Sequence, residues 1–145
     1  MPRPKRLFIH TVVGFALFIG AVKGSRTSTV LVITNPAMPI QEISAEDLKS
    51  IFLETKISLK GTAHVEPVVE KGGPAHDAFL KSYLGKTDSA LKTYYRSLVF
   101  SGQGSIPTTL SSDAEVVTYV VKNPGAIGYV DASTAIGGLK TLRVR

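Results

Sequence analysis

Two glycine-rich turns carry the residues best suited to hold a polar ligand. The first, Lys71-Gly72-Gly73, follows an apolar run and precedes a helical pattern that starts at Pro74. Free N–H groups and the helix dipole favour an anion at such a helix start. The second turn is Gly102–Ser105, and the alternative, a purely structural role for both turns, stays open. The predicted ligand-binding residues are Lys71, Gly72, Gly73, His76, Gly102, Gln103, Gly104 and Ser105.

The familiar nucleotide and hydrolase motifs do not fit this sequence. Gly102 and Gly104 suggest a dinucleotide turn, but Pro107 stands where that fingerprint needs another glycine, and the turn follows a helical pattern. The sequence contains no phosphate-binding P-loop and no nucleophile elbow. We therefore expect no catalytic residue, no cofactor and no enzymatic activity.

A metal site is also not expected. His64, Glu66, Glu70 and His76 could gather near one strand end as metal ligands, but His76 falls on a helix and no tight histidine pair occurs. His76 and Asp77 cannot act as an acid–base pair, because adjacent residues of a helix do not face each other.

Charge and composition exclude several classes of partner. The net charge is +6, but four of the 17 basic residues lie before Ser25, which leaves 13 against 11 acidic residues. This small excess does not indicate a nucleic-acid partner. The absence of cysteine excludes disulfides, thiolate metal sites and a lipid-modified cysteine.

Residues 1–24 have the pattern of an export signal. A basic region, Met1 to Arg6, precedes a largely apolar run from Leu7 to Val22, and the small residue Gly24 follows. The apolar run is short for a membrane-spanning helix, which needs about 20 residues, so cleavage before Ser25 is favoured over an uncleaved anchor. The sequence predicts a periplasmic or secreted protein that contacts the membrane only through this segment.

Periodicity in the remaining chain predicts alternating strands and helices. The β-branched run 29–34 is typical of a strand buried on both faces, as in a parallel sheet. Helices are predicted after Ser44, after Thr87 or Asp88, and after Ser112, all suited to cap a helix. Further strands are predicted at 65–69 and 126–130, and 139–144 is predicted as an edge strand. The fold class is α/β, with a mainly parallel or mixed sheet between helix layers.

Several segments, taken in order, resemble the phosphate-type periplasmic substrate-binding proteins of ABC transporters. They are residues 43–53 with EDLKSIFL, the strand and helix within 65–79, residues 91–104, and NPGAIGYV at 123–130. The resemblance implies that residues 25–145 form a single lobe, the second, of the type II periplasmic-binding-protein fold. Full members of the family have two lobes with the ligand between them.

The resemblance also implies a function and shows one departure from the family. The family's ligand loop carries an arginine and then Ser-Gly-Thr, but alignment on Asp77-Ala78-Phe79 places Gly73-Pro74-Ala75 there, with Lys71 in place of the arginine. The implied function is binding of a small, phosphate-like anion, or an accessory role in phosphate transport. The expected protein partner is an ABC permease or a second copy of the chain. The alternative is a protein-interaction module with a degenerate pocket.

Overall fold

A computed structural model describes residues 29–62 and 64–145, and the predicted export signal lies outside these residues. In this part of the chain six strands form one sheet. The strands are β1 (Val30–Thr34), β2 (Glu42–Ile43), β3 (Glu66–Glu70), β4 (Thr108–Leu110), β5 (Ala126–Asp131) and β6 (Lys140–Val144). The helices are α1 (Ala45–Phe52), α2 (Pro74–Phe79, continued by a π-helical turn over Leu80–Leu84), α3 (Asp88–Ser101) and α4 (Asp113–Lys122).

Side-chain caps start three of the helices where the sequence predicts them. The hydroxyl oxygens of Ser44, Thr87 and Ser112 each accept a hydrogen bond from the backbone N–H three residues further along, at 3.0 to 3.2 Å. Each bond satisfies one of the amide donors left free at a helix start. Gly85 ends the π-helical turn in the left-handed conformation, at a φ of 63°, which suits a glycine at a helix end. Within the described ranges no helix is long and apolar enough to cross a membrane.

The sheet is mixed, with the strand order β2-β6-β1-β5-β3-β4. Strand β3 is parallel to β4 and β5, and β2 is parallel to β6, whereas β1 is antiparallel to both of its neighbours. The expectation of a parallel environment for β1 is therefore wrong. A β-branched run indicates only that a strand is buried on both faces, and the side chains of Val32, Ile33 and Thr34 are buried. A central strand buried between helix layers has this pattern whatever the direction of its neighbours.

The prediction of an edge strand near the end of the chain is also wrong. Strand β6 lies between β1 and the two-residue strand β2, which pairs with Arg143 and Val144. The Lys140 side chain, expected at an exposed edge, instead donates hydrogen bonds to the backbone oxygens of Met38 and Ile40. The edges of this sheet are β2 and β4.

Two apolar cores lie on opposite faces of the sheet. One packs α1, α2 and α3 against it and contains the aromatic side chains of Phe52, Phe79 and Tyr129. The other packs α4 through Val116 and Val120. The predicted three-layer α/β/α arrangement is confirmed, and it puts α2 and α4 on different sides of the sheet.

Candidate ligand site at the carboxyl ends of β3 and β4

A crevice opens where the chain leaves β3 and β4. Strand β3 is followed by α2 on one face of the sheet, and its neighbour β4 is followed by α4 on the other face. In open α/β sheets, ligands bind outside the carboxyl ends of strands at such a point. The crevice has a volume of about 330 Å³. Its lining residues are Glu70, Gly72, Gly73, Pro74, Ala75, Ser111, Ser112, Asp113 and Asp131.

The turn before α2 supplies backbone donors to the crevice. Gly73 has a φ of 105°, a conformation that residues with a Cβ rarely adopt, and Pro74 takes the first position of the helix. The first intrahelical bond of this turn runs from the Asp77 N–H to the Gly73 oxygen. The N–H groups of Ala75 and His76 precede it and have no intrahelical acceptor. The predicted glycine turn therefore does present amide groups at a helix start.

Carboxyl groups dominate the side chains of the crevice. Glu70 is 5% exposed, and its Oε1 atom has no hydrogen-bond partner. Burial raises the pKa of Glu70 to about 8, and the neighbouring Asp113 carboxylate contributes to the rise. Glu70 is therefore mostly neutral at pH 7 and can donate a hydrogen bond.

Asp113 keeps its charge in the same crevice. Burial alone would raise its pKa, but the interaction with Glu70 and hydrogen bonds from the Thr134 hydroxyl and the Asp131 N–H outweigh burial and lower it. Asp131 is also charged, because its carboxylate accepts hydrogen bonds from Ser133 and its pKa is lowered. The crevice thus contains two carboxylates, while no lysine or arginine lines it.

Lys71, predicted to act as the cation of this site, is exposed and lies outside the lining of the crevice. Its backbone N–H donates to the Leu110 oxygen at 2.8 Å and extends the pairing of β3 with β4 by one residue. The lysine backbone therefore shapes the entrance, while its ammonium group is directed to solvent.

His76 is buried and turned away from the crevice. Its Nδ1 atom lies 2.6 Å from the Tyr129 hydroxyl oxygen, and its Nε2 atom lies 2.9 Å from Oδ1 of Asp88. Both ring nitrogens are therefore occupied inside the protein. The His76 side chain holds α2, α3 and β5 together, and His76 does not line the crevice.

The second predicted turn, Gly102–Ser105, precedes the amino end of β4, whereas the crevice lies at the carboxyl ends of β3 and β4. Because β3 and β4 are parallel, the chain must return along α3 to the amino end of β4 before the next strand starts. A Cβ on Gly104 would contact Leu98 and Glu54, and Ser105 lines a different cavity. Of the five cavities described for residues 29–62 and 64–145, none contains residues from both turns.

The side chains weighed as metal ligands also have separate partners. Glu66 accepts hydrogen bonds from the hydroxyls of Tyr119 and Thr108, on the face of the sheet covered by α4. His76 is held on the opposite side by Tyr129. The described residues contain no group of three histidine, aspartate or glutamate side chains arranged to hold a metal ion.

Sequence reasoning missed the acidic and hydroxyl-bearing half of the crevice. The sequence pattern indicates only a helix cap at Ser112, does not single out Asp113, and predicts no strand at β4. The signal that could have found them is topological: Glu70, Asp113 and Asp131 each end a strand or begin the helix that follows one. In a parallel sheet the carboxyl ends of neighbouring strands lie side by side, so such positions come close together.

Solved structures share this fold. A substrate-binding protein of a phosphate ABC transporter type from Clostridium perfringens, solved with phosphate bound, is 18% identical with a TM-score of 0.62. An ABC-type phosphate transport receptor from Vibrio cholerae is 16% identical with a TM-score of 0.60. PstS from Borrelia burgdorferi is 18% identical with a TM-score of 0.62. Each match covers 81% of this chain.

The resemblance to the phosphate-type substrate-binding proteins is confirmed at the level of the fold. The chain spans less than half of the proteins it matches, between 45% and 47% of those three. No protein-family model matches the sequence, and no curated protein matches it.

Proposed function

We propose that this chain is an exported binding domain of the substrate-binding-protein type, accessory to ABC transport, that holds a small protonated oxyanion in the crevice. The observation that supports it best is the buried, unpartnered Oε1 atom of Glu70, which lines the crevice beside the amide groups at the start of α2. An unpaired polar atom in this position leaves a hydrogen-bonding site for a ligand.

The mixture of donors and acceptors selects the protonation state of the ligand. Phosphate keeps a proton at neutral pH, so one of its oxygens can donate to the Asp113 carboxylate. Its other oxygens can accept from the Ala75 N–H and from the hydroxyl groups of Ser111 and Ser112. The neutral Glu70 carboxyl adds no negative charge to repel them. Sulfate carries no proton at this pH. Its charge would therefore be repelled by the carboxylates with no hydrogen bond to offset the repulsion. The crevice should therefore prefer phosphate to sulfate.

The affinity for phosphate should be weak, no tighter than about 1 mM, which corresponds to about −4 kcal/mol. The Ser and Thr hydroxyls implied by the family resemblance are absent from this turn, and Pro74 has no N–H. No cation lines the crevice. Association itself costs at least about 4 kcal/mol, so few contacts remain to give a net gain.

Calorimetry of the purified chain at low salt tests the proposal. Phosphate should bind measurably at pH 6.5 and sulfate should not. Binding of phosphate should weaken at pH 9, because Glu70 then loses its proton and adds a third negative charge to the crevice. Asp113→Asn should reduce the preference for phosphate, and Lys81→Ala, which changes an exposed lysine outside the crevice, should not alter binding.

Two outcomes would contradict this function. Equal binding of sulfate and phosphate would show that the carboxylates do not select the ligand. Micromolar phosphate binding that disappears in Lys71→Ala would show that the lysine, and not the acidic crevice, holds the anion.

Export is the part of the proposal that depends on residues 1–24. Their pattern predicts a mature N-terminus near Ser25. Mass spectrometry of the protein recovered from the periplasm or medium measures this terminus. An intact Met1 in the membrane fraction would instead support an uncleaved anchor.

A second candidate function, binding to another protein, is favoured by one exposed side chain. Phe100 is 91% exposed near the end of α3, and the neighbouring Val99 is also exposed. Exposed apolar side chains that are adjacent to each other are typical of interaction sites. Sedimentation of the chain with and without Phe100→Ser would detect self-association through this end of α3. A monomer at all concentrations would leave only a different protein as the partner.

A further inference from the structure

A second cavity, separate from the crevice, lies between α3 and the strands β3 and β4. It has a volume of about 300 Å³, at the lower end of the range for small-molecule sites. We call it the α3 cavity. Val69, Leu91, Tyr95 and Ile106 give it an apolar lining, and Lys92 and Arg96 line it from α3.

The floor of the α3 cavity is formed by apolar side chains and an aromatic ring. Val69, Leu91 and Tyr95 are buried, and the Tyr95 hydroxyl donates to the Phe52 backbone oxygen, so only its ring faces the cavity. Ile106, by contrast, is 55% exposed at the margin. A ligand with an apolar body would cover Ile106 and rest on the buried floor.

The charged side chains of the cavity leave one uncompensated positive charge. Lys92 pairs with Asp88 at 2.7 Å, and Asp88 also holds Nε2 of His76. Arg96, one turn further along α3, donates only to the Thr93 hydroxyl at 3.3 Å and pairs with no carboxylate of the described residues. Its guanidinium can therefore bind a carboxylate through two parallel hydrogen bonds.

Glu70 does not cancel this charge, although it lines both cavities. Side chains alternate along a strand, and Val69 belongs to the core under α3. The Glu70 carboxyl therefore lies on the α4 side of β3, near Asp113. The α3 cavity has a net positive charge, while the crevice has a net negative one.

We propose that the α3 cavity is a binding site for a small organic monocarboxylate with an aromatic or branched aliphatic body. The carboxylate binds Arg96, with Lys92 beside it, and the body packs on Val69, Leu91 and Tyr95. Inorganic phosphate is excluded as its main ligand, because it has no apolar part to fill the floor. This site is distinct from the crevice and does not depend on the function proposed for it.

Titration with 3-phenylpropionate tests the proposal. The full chain is expressed and purified without further truncation. It is then titrated by calorimetry with the acid, with 3-phenylpropanol and with 3-phenylpropylamine. The three probes share one body and differ in charge. The acid should bind with a dissociation constant below about 10 mM and at least tenfold more tightly than the alcohol or the amine.

Matched variants locate the binding. Arg96→Gln keeps most of the side-chain length and removes the charge. It should reduce the affinity for the acid about tenfold (about 1.4 kcal/mol). Arg143→Gln, at an exposed arginine on β6, should leave binding unchanged. Both side chains are exposed, so thermal melting should show that both variants are folded.

Three results would overturn the inference: no saturable binding of the acid, equal binding of the acid and the alcohol, or normal binding to Arg96→Gln. Phosphate binding to the crevice, measured on the same Arg96→Gln protein, should persist. Its persistence separates a failure of this site from a failure of the function proposed for the crevice.

Discussion

The hydroxyl oxygen of Tyr129 lies 2.6 Å from Nδ1 of His76, and both side chains are buried. The same oxygen accepts a hydrogen bond from the Glu70 backbone N–H at 3.0 Å. On the other side of the imidazole ring, Nε2 lies 2.9 Å from Oδ1 of Asp88. These contacts join β3, β5, α2 and α3 between the two cavities.

Removal of the Tyr129 hydroxyl should destabilise the fold markedly. Tyr129→Phe leaves Nδ1 of His76 and the Glu70 N–H buried without partners, and each unsatisfied group costs about 1–3 kcal/mol. Urea denaturation should show a loss of about 2–6 kcal/mol. Tyr83→Phe, at a half-buried tyrosine, is the control and should change stability by less than about 0.5 kcal/mol. A similar small loss for Tyr129→Phe would mean that water replaces the hydroxyl.

Glu70 should make the protein less stable as the pH rises. Its pKa is raised from 4.5 to about 8 on folding, so the folded state holds a proton that the unfolded state has lost between these values. The stability is fully present below pH 4.5 and is lost as the pH rises through 8. Glu70→Gln should therefore raise the melting temperature relative to the parent protein at pH 9 and change it little at pH 4. An equal shift at both pH values would show that Glu70 is charged in the folded protein.

Phe79 should be among the most sensitive core positions. Its ring is fully buried, stacks on Tyr129 with centroids 4.0 Å apart, and contacts Phe52 at 4.7 Å. Phe79→Ala should reduce the free energy of unfolding by about 3–5 kcal/mol. Phe100→Ala removes the same atoms from an exposed position and should change it by less than about 0.5 kcal/mol. Equal effects of the two changes would contradict the packing of α2.

Gly128 should tolerate no larger residue while Val116 is present. A Cβ at position 128 would lie 2.8 Å from Cγ1 of Val116, closer than real Cβ atoms approach. Gly128→Ala should therefore cost about 1–3 kcal/mol by pushing α4 away from β5. In the double variant with Val116→Ala, the combined loss in a denaturant melt should be smaller than the sum of the two single losses. Simple additivity would show that the two positions are not in contact.

The sequence was sufficient for features set by neighbouring residues. The caps at Ser44, Thr87 and Ser112 and the turn at Gly73 depend on contacts within a few positions, and the structure has all of them. The direction of β1 could not be predicted in this way. The residue types in β1 indicate that the strand is buried. They do not indicate the direction of its neighbouring strands, which lie about a hundred positions further along the chain.

The same local patterns predict only one half of the candidate site. Glycine turns stand out in a sequence, so the turn at Gly73 was found, but Gly102–Ser105 was grouped with it although a parallel crossover separates the two. The sequence pattern does not predict strand β4, because the strand has only three residues and two of them, Thr108 and Thr109, have no apolar side chain. Without β4, nothing placed Asp113 beside Glu70.

The position of β1 at the centre of the sheet has a consequence for biogenesis. Val32 pairs with Tyr129 and with Leu142, which follow it by 97 and 110 positions. Contacts so distant in sequence form late, because closing a long loop must precede any gain from pairing. While the chain is being synthesised, β1 therefore has neither of its neighbours, and it stays unpaired until β5 and β6 have been made.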